Sequence, residues 1–171
     1  MRLGELVTEL GGPSPSSLRG RLANLVDLGA VAKRGGGMPY AVENELTDVG
    51  RDLLDAVDAL AAWLARAPRE PIPLGSVAAQ AATKALARGW ESTTLQALAA
   101  RPLSLTQLDG LIGELSYPTL ERRLAALRAT GLAEPTSDGD RPLYRVSQWG
   151  GEAQEPIAAA ARFERLHMGK R

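Results

Sequence analysis

The stretch "YPTLERRLAALRATGLAE", residues 117–134, carries both a helical period and a helix stop. Leu120, Leu124 and Leu127 recur at i, i+4 and i+7, so a helix here would bury all three leucines on one face. Gly131 follows the last of them, and glycine is the residue that most often ends a helix. The stretch therefore predicts an amphipathic helix that ends near Gly131.

The residues around this stretch predict a small helical unit with one β-hairpin. "LAEP" and "LYRVS" are typical of two short strands around the turn-rich "TSDGDR". Two helices joined by a turn and followed by a hairpin describe a winged helix-turn-helix, whose second helix lies in the DNA major groove. The sequence predicts helices at 76–89, 90–102, 104–113, 118–131 and 148–166, with Pro156 kinking the last one or marking its first turn.

An earlier stretch, "PSSLRGRLANLVDLGAVA" at residues 15–32, repeats the same pattern. When the sequence is aligned with itself at an offset of 102 positions, residues 3–33 fall on 105–135, and ten of the 31 pairs are identical. Ungapped similarity of this kind is typical of a duplicated structural unit. The chain is therefore expected to contain two copies of one fold.

The two copies predict a mainly α fold with small β-hairpin wings, built as two tandem winged helix-turn-helix domains. Residues 1–66 form the first copy and residues 76–171 the second. Between them, "APREPIPLG" at 67–75 holds three prolines and no helical period, which predicts a stiff linker. The first copy has no counterpart of residues 76–100, so it lacks the N-terminal helices of the second copy; either another segment fills that gap, or the true start lies upstream of Met1. Its predicted elements are helices at 2–11, 15–28 and 48–66, the last capped by Thr47, and strands at 30–34 and 41–46 around the tip "RGGGMP".

The composition argues against several classes of function. The chain has no Cys and a single His, so it offers neither thiol chemistry nor a zinc site. It shows no nucleophile–base set and no nucleotide-binding loop, so we expect no enzyme, no metal and no cofactor. It also lacks a basic-then-apolar leader and an apolar run long enough to span a membrane, so a cytoplasmic protein is expected.

Three phrases in each copy occur in the same order. In the second copy they are "GWESTTLQALAARPLSLTQL", "SYPTLERRLAALRATGLAE" and "YRVSQWG". In the first they are "RLGEL", "PSPSSLRGRLANLVDLGAVAKR" and "PYAVENELTDVGRDLLDAVDALAAW". Together they resemble the HxlR-type winged helix-turn-helix transcriptional regulators, present here in tandem. The resemblance implies a bacterial-type regulator that binds double-stranded DNA and dimerises through terminal helices.

The outward face of the helix at 118–131 supplies candidate DNA contacts. Arg122 lies opposite the leucine stripe, with Thr119 on its flank and Arg123 at the border. Tyr117 lies where the helix begins. A guanidinium can pair with phosphate or read guanine through two hydrogen bonds, which makes Arg122 and Arg123 the strongest candidates.

The first copy has a weaker reading helix, because Gly20 occupies the position of Arg122. Its wing carries Lys33 and Arg34 beside three glycines, where a phosphate or minor-groove contact is expected. The candidate contacts of this copy are Ser16, Ser17, Arg19, Arg21, Asn24, Lys33 and Arg34.

Two features leave other interpretations open. Arg21 and Arg123 occupy equivalent border positions, where each could instead brace the fold by pairing with a carboxylate. The second wing carries Glu134, Asp138 and Asp140, whose charges would repel phosphate. The docking of the second copy on DNA therefore stays open.

The sequence thus predicts a DNA-binding transcriptional regulator whose two copies form a pseudo-dimer. A covalent tandem would imitate a family dimer, with recognition helices about one helical turn of DNA apart. The expected interface packs four side chains against the helix at 76–89: Leu53, Val57, Leu60 and Leu64. A homodimer of whole chains and a small-molecule effector are left open.

The alternative is a winged-helix module that binds protein without strong DNA binding, since a fold alone does not fix function. Twenty basic residues balance twenty acidic ones, and a basic footprint is the usual mark of a nucleic-acid binder. This balance, the acidic second wing and Gly20 favour the alternative.

Overall fold

The computed structural model describes residues 2–10, 14–35, 42–87, 89–113 and 115–168. The predicted fold class is confirmed: the described chain is mainly helical, with two separate two-stranded antiparallel sheets. None of the described helices is long and apolar enough to cross a membrane. In chain order the elements are α1 (Leu3–Leu10), α2 (Pro15–Asp27), β1 (Val31–Arg34), β2 (Glu43–Leu46), α3 (Asp48–Ala65), α4 (Val77–Ala87), α5 (Trp90–Ala100), α6 (Leu105–Ile112), α7 (Tyr117–Ala129), β3 (Ala133–Asp138), β4 (Arg141–Val146), α8 (Gln148–Glu152) and α9 (Gln154–His167).

The chain divides into two compact units, and the division falls inside α3 and α9. Unit 1 comprises Met1–Val57 and Ala160–Arg171, and unit 2 comprises Asp58–Ala159. Residues 67–75 contain no helix or strand and lie in unit 2. The domain boundary drawn from the sequence at 67–75 stays a prediction.

The core of unit 2 is built on the predicted leucine stripe of α7. Leu120, Leu124 and Leu127 are 0%, 2% and 1% exposed. Leu95 and Leu98 of α5 lie in the same cluster. Since each fully buried leucine contributes roughly 1.5–3 kcal/mol, the stripe holds α7 in place and turns its opposite face outward.

Two tryptophans from distant parts of the chain seal this core. The rings of Trp63 and Trp149 stack with their centroids 4.3 Å apart and an angle of 2° between their planes. Each indole N–H donates to the backbone carbonyl of the other residue, at 2.9 Å in both directions. The pair fixes the end of α3 against α8 and leaves neither indole N–H unsatisfied.

The turn that ends α2 recurs at the end of α7. Gly29 and Gly131 both take positive φ, +80° and +84°. In each turn the next N–H donates across the glycine to a helix carbonyl, from Ala30 to Leu25 and from Leu132 to Leu127, both at 2.9 Å. Glycine adopts this conformation without steric cost, which is why both helices end where the sequence predicts.

The junction from hairpin to helix is also the same in both units. In unit 1 Thr47 Oγ1 donates to the Gly29 carbonyl at 2.6 Å and accepts from the Gly50 N–H at 3.1 Å. In unit 2 Ser147 Oγ donates to the Gly131 carbonyl at 2.6 Å and accepts from the Gly150 N–H at 2.9 Å. The prediction that Thr47 caps the last helix of the first copy is confirmed.

Two predicted elements differ from the structure. The single helix expected at 148–166 is found as α8 and α9, separated at Ala153. Pro156 lies in the first turn of α9, which is one of the two positions that the sequence predicts for it. The first N–H groups of a helix have no helical acceptor, so a proline there costs no hydrogen bond. The second hairpin is longer than expected, because Thr136–Leu143 and Ser137–Pro142 also pair. The tip of the first hairpin, residues 36–41, lies outside the described residues.

Unit 1 has a smaller core. The buried apolar residues that its described part contributes from α2 and β1 include Leu18 at 5% and Val31 at 8% exposure. The end of α9 adds Phe163, 8% exposed, and His167, whose Nε2 lies 2.7 Å from Asp52 Oδ2 of α3. This contact ties the end of α9 to α3, the helix that follows the first hairpin.

Candidate nucleic-acid interface

Arg122 has the position that the sequence predicts. It lies exposed on α7, opposite the buried leucine stripe. Within the described ranges no carboxylate pairs with it. Tyr117, 45% exposed, begins the helix, and Thr119 Oγ1 lies 2.9 Å from Ser116 Oγ. The guanidinium of Arg122 is therefore free to meet a phosphate or a base edge.

Arg123, by contrast, is part of the framework of unit 2. Its Nη1 donates to Glu91 Oε1 of α5 at 2.8 Å, and both side chains are about a third exposed, at 30% and 32%. Its Nε is buried without a partner among the described residues. The sequence left open whether Arg123 contacts DNA or braces the fold. The ion pair with Glu91 supports the bracing role.

The ion pair between Arg123 and Glu91 is expected to couple α5 and α7. A double-mutant cycle with Arg123→Ala and Glu91→Ala should give a coupling of about 0.5–1 kcal/mol, since partial exposure screens the pair. Urea unfolding of the four proteins measures it. Strictly additive losses would show that the two charges do not interact.

The sequence did not single out a third arginine of α7. The guanidinium of Arg128 lies 5.6 Å from the ring centroid of Tyr144 on β4. The cation–π contact ties the last turn of α7 to the wing. Helical spacing alone gives no sign of it, because Tyr144 belongs to another element.

The second wing is less acidic than its carboxylates suggest. Glu134 and Arg145 face each other across the hairpin, with Arg145 Nη2 2.6 Å from Glu134 Oε1. Asp138 pairs with Arg141 in the strand register at the tip. Of the three carboxylates expected to repel phosphate, Glu134 is neutralised by an ion pair.

The candidate residues on α2 are all exposed. They are Ser16, Ser17, Arg19, Arg21 and Asn24. The two serines take part in the helix start: Ser17 N–H donates to Ser14 Oγ at 3.2 Å, and Ser16 Oγ lies 3.0 Å from the same oxygen. Within the described ranges neither arginine has an ion-pair partner.

The first wing is less basic than the sequence suggests. Arg34 Nε lies 2.5 Å from Glu45 Oε2, and Arg2 Nε lies 3.8 Å from Glu43 Oε1. Strand β2 thus offers two carboxylates beside Lys33 and Arg34. Lys33 has no ion-pair partner in the described chain, so it is the free cation of this hairpin.

The four residues proposed as an interface fall on both sides of the unit boundary. Leu53 and Val57 are half-buried in unit 1. In unit 2, Leu64 is fully buried in one cluster with the alanines of α4, and Leu60 packs against that cluster.

No group of three or more acidic or histidine side chains among the described residues is placed to hold a metal ion.

No family model and no curated protein matches the chain. Among solved structures, HlyU from Vibrio cholerae is similar at 26% identity, over 58% of this chain and 98% of its own, with a TM-score of 0.38. The homodimeric winged helix-turn-helix DNA-binding domain of Mb0332 from Mycobacterium bovis, a possible ArsR-family transcriptional regulator, is 22% identical over 73% of this chain and 94% of its own, with a TM-score of 0.41. The oxidized form of MarR from E. coli is 17% identical over 74% and 77%, with a TM-score of 0.32. These TM-scores are low, so the description of the fold rests on this chain's own elements.

Proposed function

We propose that this chain is a DNA-binding transcriptional regulator of the HxlR-like type. The observation that carries the proposal is Arg122, exposed and unpaired in the described chain, on the second helix of a helix–turn–helix that a hairpin follows. A buried leucine stripe fixes that helix from behind, so its outward face is presented without rearrangement. The function needs no catalysis, metal or cofactor, and it places the protein in the cytoplasm.

We further propose that the two copies form a pseudo-dimer. Support comes from the glycine turn and the hydroxyl-capped junction, which recur with the same hydrogen bonds in both copies. It also comes from the terminal helices, because unit 1 contains the end of α9 and unit 2 contains the end of α3. A chain of this kind would suit an operator with two similar half-sites.

The proposed contacts have different weights. Arg122 and Tyr117 are proposed to contact DNA from α7, and Arg19 and Lys33 from unit 1, because all four are exposed and no ion pair within the described ranges engages the three cations. Six others serve at the margin of the surface, since a cap, an ion pair or a border position limits them: Ser16, Ser17, Arg21, Arg34, Thr119 and Arg123. Asn24, exposed on the outward face of α2, is proposed as a further contact.

Arg122→Ala should weaken binding to a specific DNA site by about tenfold or more, as expected for a guanidinium that reads a base or holds a phosphate. Lys33→Ala should weaken binding less and to a similar extent on all sequences. Fluorescence anisotropy with selected genomic fragments, at several salt concentrations, measures both. The affinity should fall steeply as salt rises.

Glu121→Ala provides a matched control, since Glu121 is the exposed neighbour of Arg122 on α7. Removal of its negative charge should leave DNA binding unchanged or slightly stronger. If the Arg122→Ala variant bound DNA as tightly as the wild type, α7 would not be the recognition helix.

A protein-binding module is the second candidate, and the charge pattern favours it. The described part of the first wing holds its Arg34 in an ion pair with Glu45, and the second wing carries Asp138 and Asp140 near its tip. The two candidates are separated by DNA binding at low salt. Folded protein that binds no genomic fragment there would favour the module.

A further inference from the structure

The two copies differ in how deeply their leucine faces are buried. In unit 2 three leucines of α6 and α7 are no more than 2% exposed: Leu108, Leu124 and Leu127. Their counterparts in unit 1, at the offset of 102 positions, are only half-buried: Leu6, Leu22 and Leu25. The face that α1 and α2 form with these three leucines is called here the α1–α2 face.

Helix α5 accounts for the difference. In unit 2 it packs against α6, α7 and β4, and its Leu95 and Leu98 join their core. The described part of unit 1 contains no counterpart of α5. The end of α9 does not fill that role, because its Phe163 corresponds to Trp63 of α3 at the offset of 100 that applies after the hairpins.

The charges differ in the same way. Arg123 pairs with Glu91 in the first turn of α5, at 2.8 Å. Arg21 is its counterpart on α2, and in the described chain it is exposed without a carboxylate partner. In the described chain, therefore, no helix corresponding to α5 covers the α1–α2 face and no carboxylate pairs with Arg21, whereas α5 supplies both the cover and the carboxylate in unit 2.

We propose that the α1–α2 face of unit 1 binds an amphipathic helix of another polypeptide. The helix has the chemistry of α5: an apolar stripe to cover the leucines, and a carboxylate in its first turn to pair with Arg21. A second copy of this chain fits less well. Two α1–α2 faces packed together about a two-fold axis would bring their Arg21 side chains to one interface, and the α5 of a second copy is already held in its own core.

Apart from Arg21, which lies at the border of both, this surface is separate from the proposed DNA contacts. Leu22 and Leu25 lie on the half-buried face of α2, whereas Arg19 and Asn24 are exposed elsewhere on the same helix. One helix can therefore bind a partner on one side and DNA on the other. The partner helix would give unit 1 the cover that α5 provides in unit 2.

The test uses a peptide with the sequence of residues 89–102, "GWESTTLQALAARP", added to the full chain. A hydrocarbon staple between positions 96 and 100, both exposed in α5, keeps the peptide helical, and circular dichroism verifies this. Titration calorimetry should show one peptide bound per chain. Arg21→Glu should weaken peptide binding by about fivefold or more, because the attraction between Arg21 and the peptide's Glu91 becomes a repulsion. A peptide with Glu91→Arg should restore the affinity for that variant.

Arg19→Glu is the matched control, since it makes the same charge change on the opposite flank of α2 and should leave peptide binding unchanged. Three results would overturn the proposal. The first is a helical peptide that does not bind at millimolar concentration. The second is an equal weakening of peptide binding by Arg21→Glu and Arg19→Glu. The third is a dimer of the chain that Leu25→Asp dissociates. The last result would assign the α1–α2 face to a second copy.

Discussion

Trp63→Ala is expected to lower the free energy of unfolding by about 3–5 kcal/mol, the largest loss that any single substitution here should cause. Trp63 is 0% exposed, its ring stacks on Trp149, and its N–H donates to the Trp149 carbonyl. The substitution removes the ring, the stack and the hydrogen bond that the Trp63 indole donates to α8, whereas the backbone carbonyl of residue 63 still accepts from the Trp149 indole. Urea unfolding followed by far-UV circular dichroism measures the loss without depending on tryptophan fluorescence.

Trp149→Ala is the reciprocal variant and should cost a similar amount, since Trp149 is 4% exposed. The two losses should not add, because either substitution already destroys the stack between the rings. Val77→Ala serves as a control, as Val77 is 82% exposed and its truncation should change stability by less than about 0.5 kcal/mol. A loss below about 1 kcal/mol for Trp63→Ala would contradict the assigned role of the pair.

Gly150→Ala should destabilise unit 2 by about 3 kcal/mol, through overpacking at the junction between hairpin and helix. A Cβ atom at this position would overlap the Leu132 carbonyl oxygen and lie 2.8 Å from Val146 Cγ1. Backbone cannot move aside as a flexible side chain can, so the start of α8 must shift away from Leu132 and from Val146 of β4. Gly50→Ala should have the same effect in unit 1, where the added Cβ meets the Ala30 carbonyl oxygen.

Gly151→Ala is the matched control, one residue further along the same helix. Nothing lies within 4 Å of a Cβ built there, and no positive φ is present. The change should be neutral or stabilise by about 0.5–1 kcal/mol, because glycine is a poor residue inside a helix. Thermal unfolding separates the two variants, and equal stabilities for Gly150→Ala and Gly151→Ala would refute the close packing at this junction.

The sequence predicted the local elements well, for identifiable reasons. The stripe of Leu120, Leu124 and Leu127 sets the helical period of α7, and Gly29 and Gly131 end α2 and α7. Both signals depend only on neighbouring residues. The break between α8 and α9 was not located, because Ala153, where it falls, gives no breaker signal of its own.

The candidate site was predicted in part. Arg122 could be placed outward from the wheel of a single helix, and the structure has it exposed. The partner of Arg123 could not be foreseen, because Glu91 lies 32 positions earlier on another helix. The same holds for Arg34, whose partner Glu45 depends on the register of the hairpin.

Apart from the break at Ala153, the sequence by itself determined which segments are helices, where they end and that one pattern occurs twice, since periodicity and glycine conformation are properties of short segments. Only the tertiary structure decided which charges are free and which are paired, and that Trp63 meets Trp149 across 86 positions. It also decided that the leucines of α1 and α2 lack the cover that α5 gives to α6 and α7. These outcomes depend on the packing of segments far apart in the chain, for which no local pattern carries a signal.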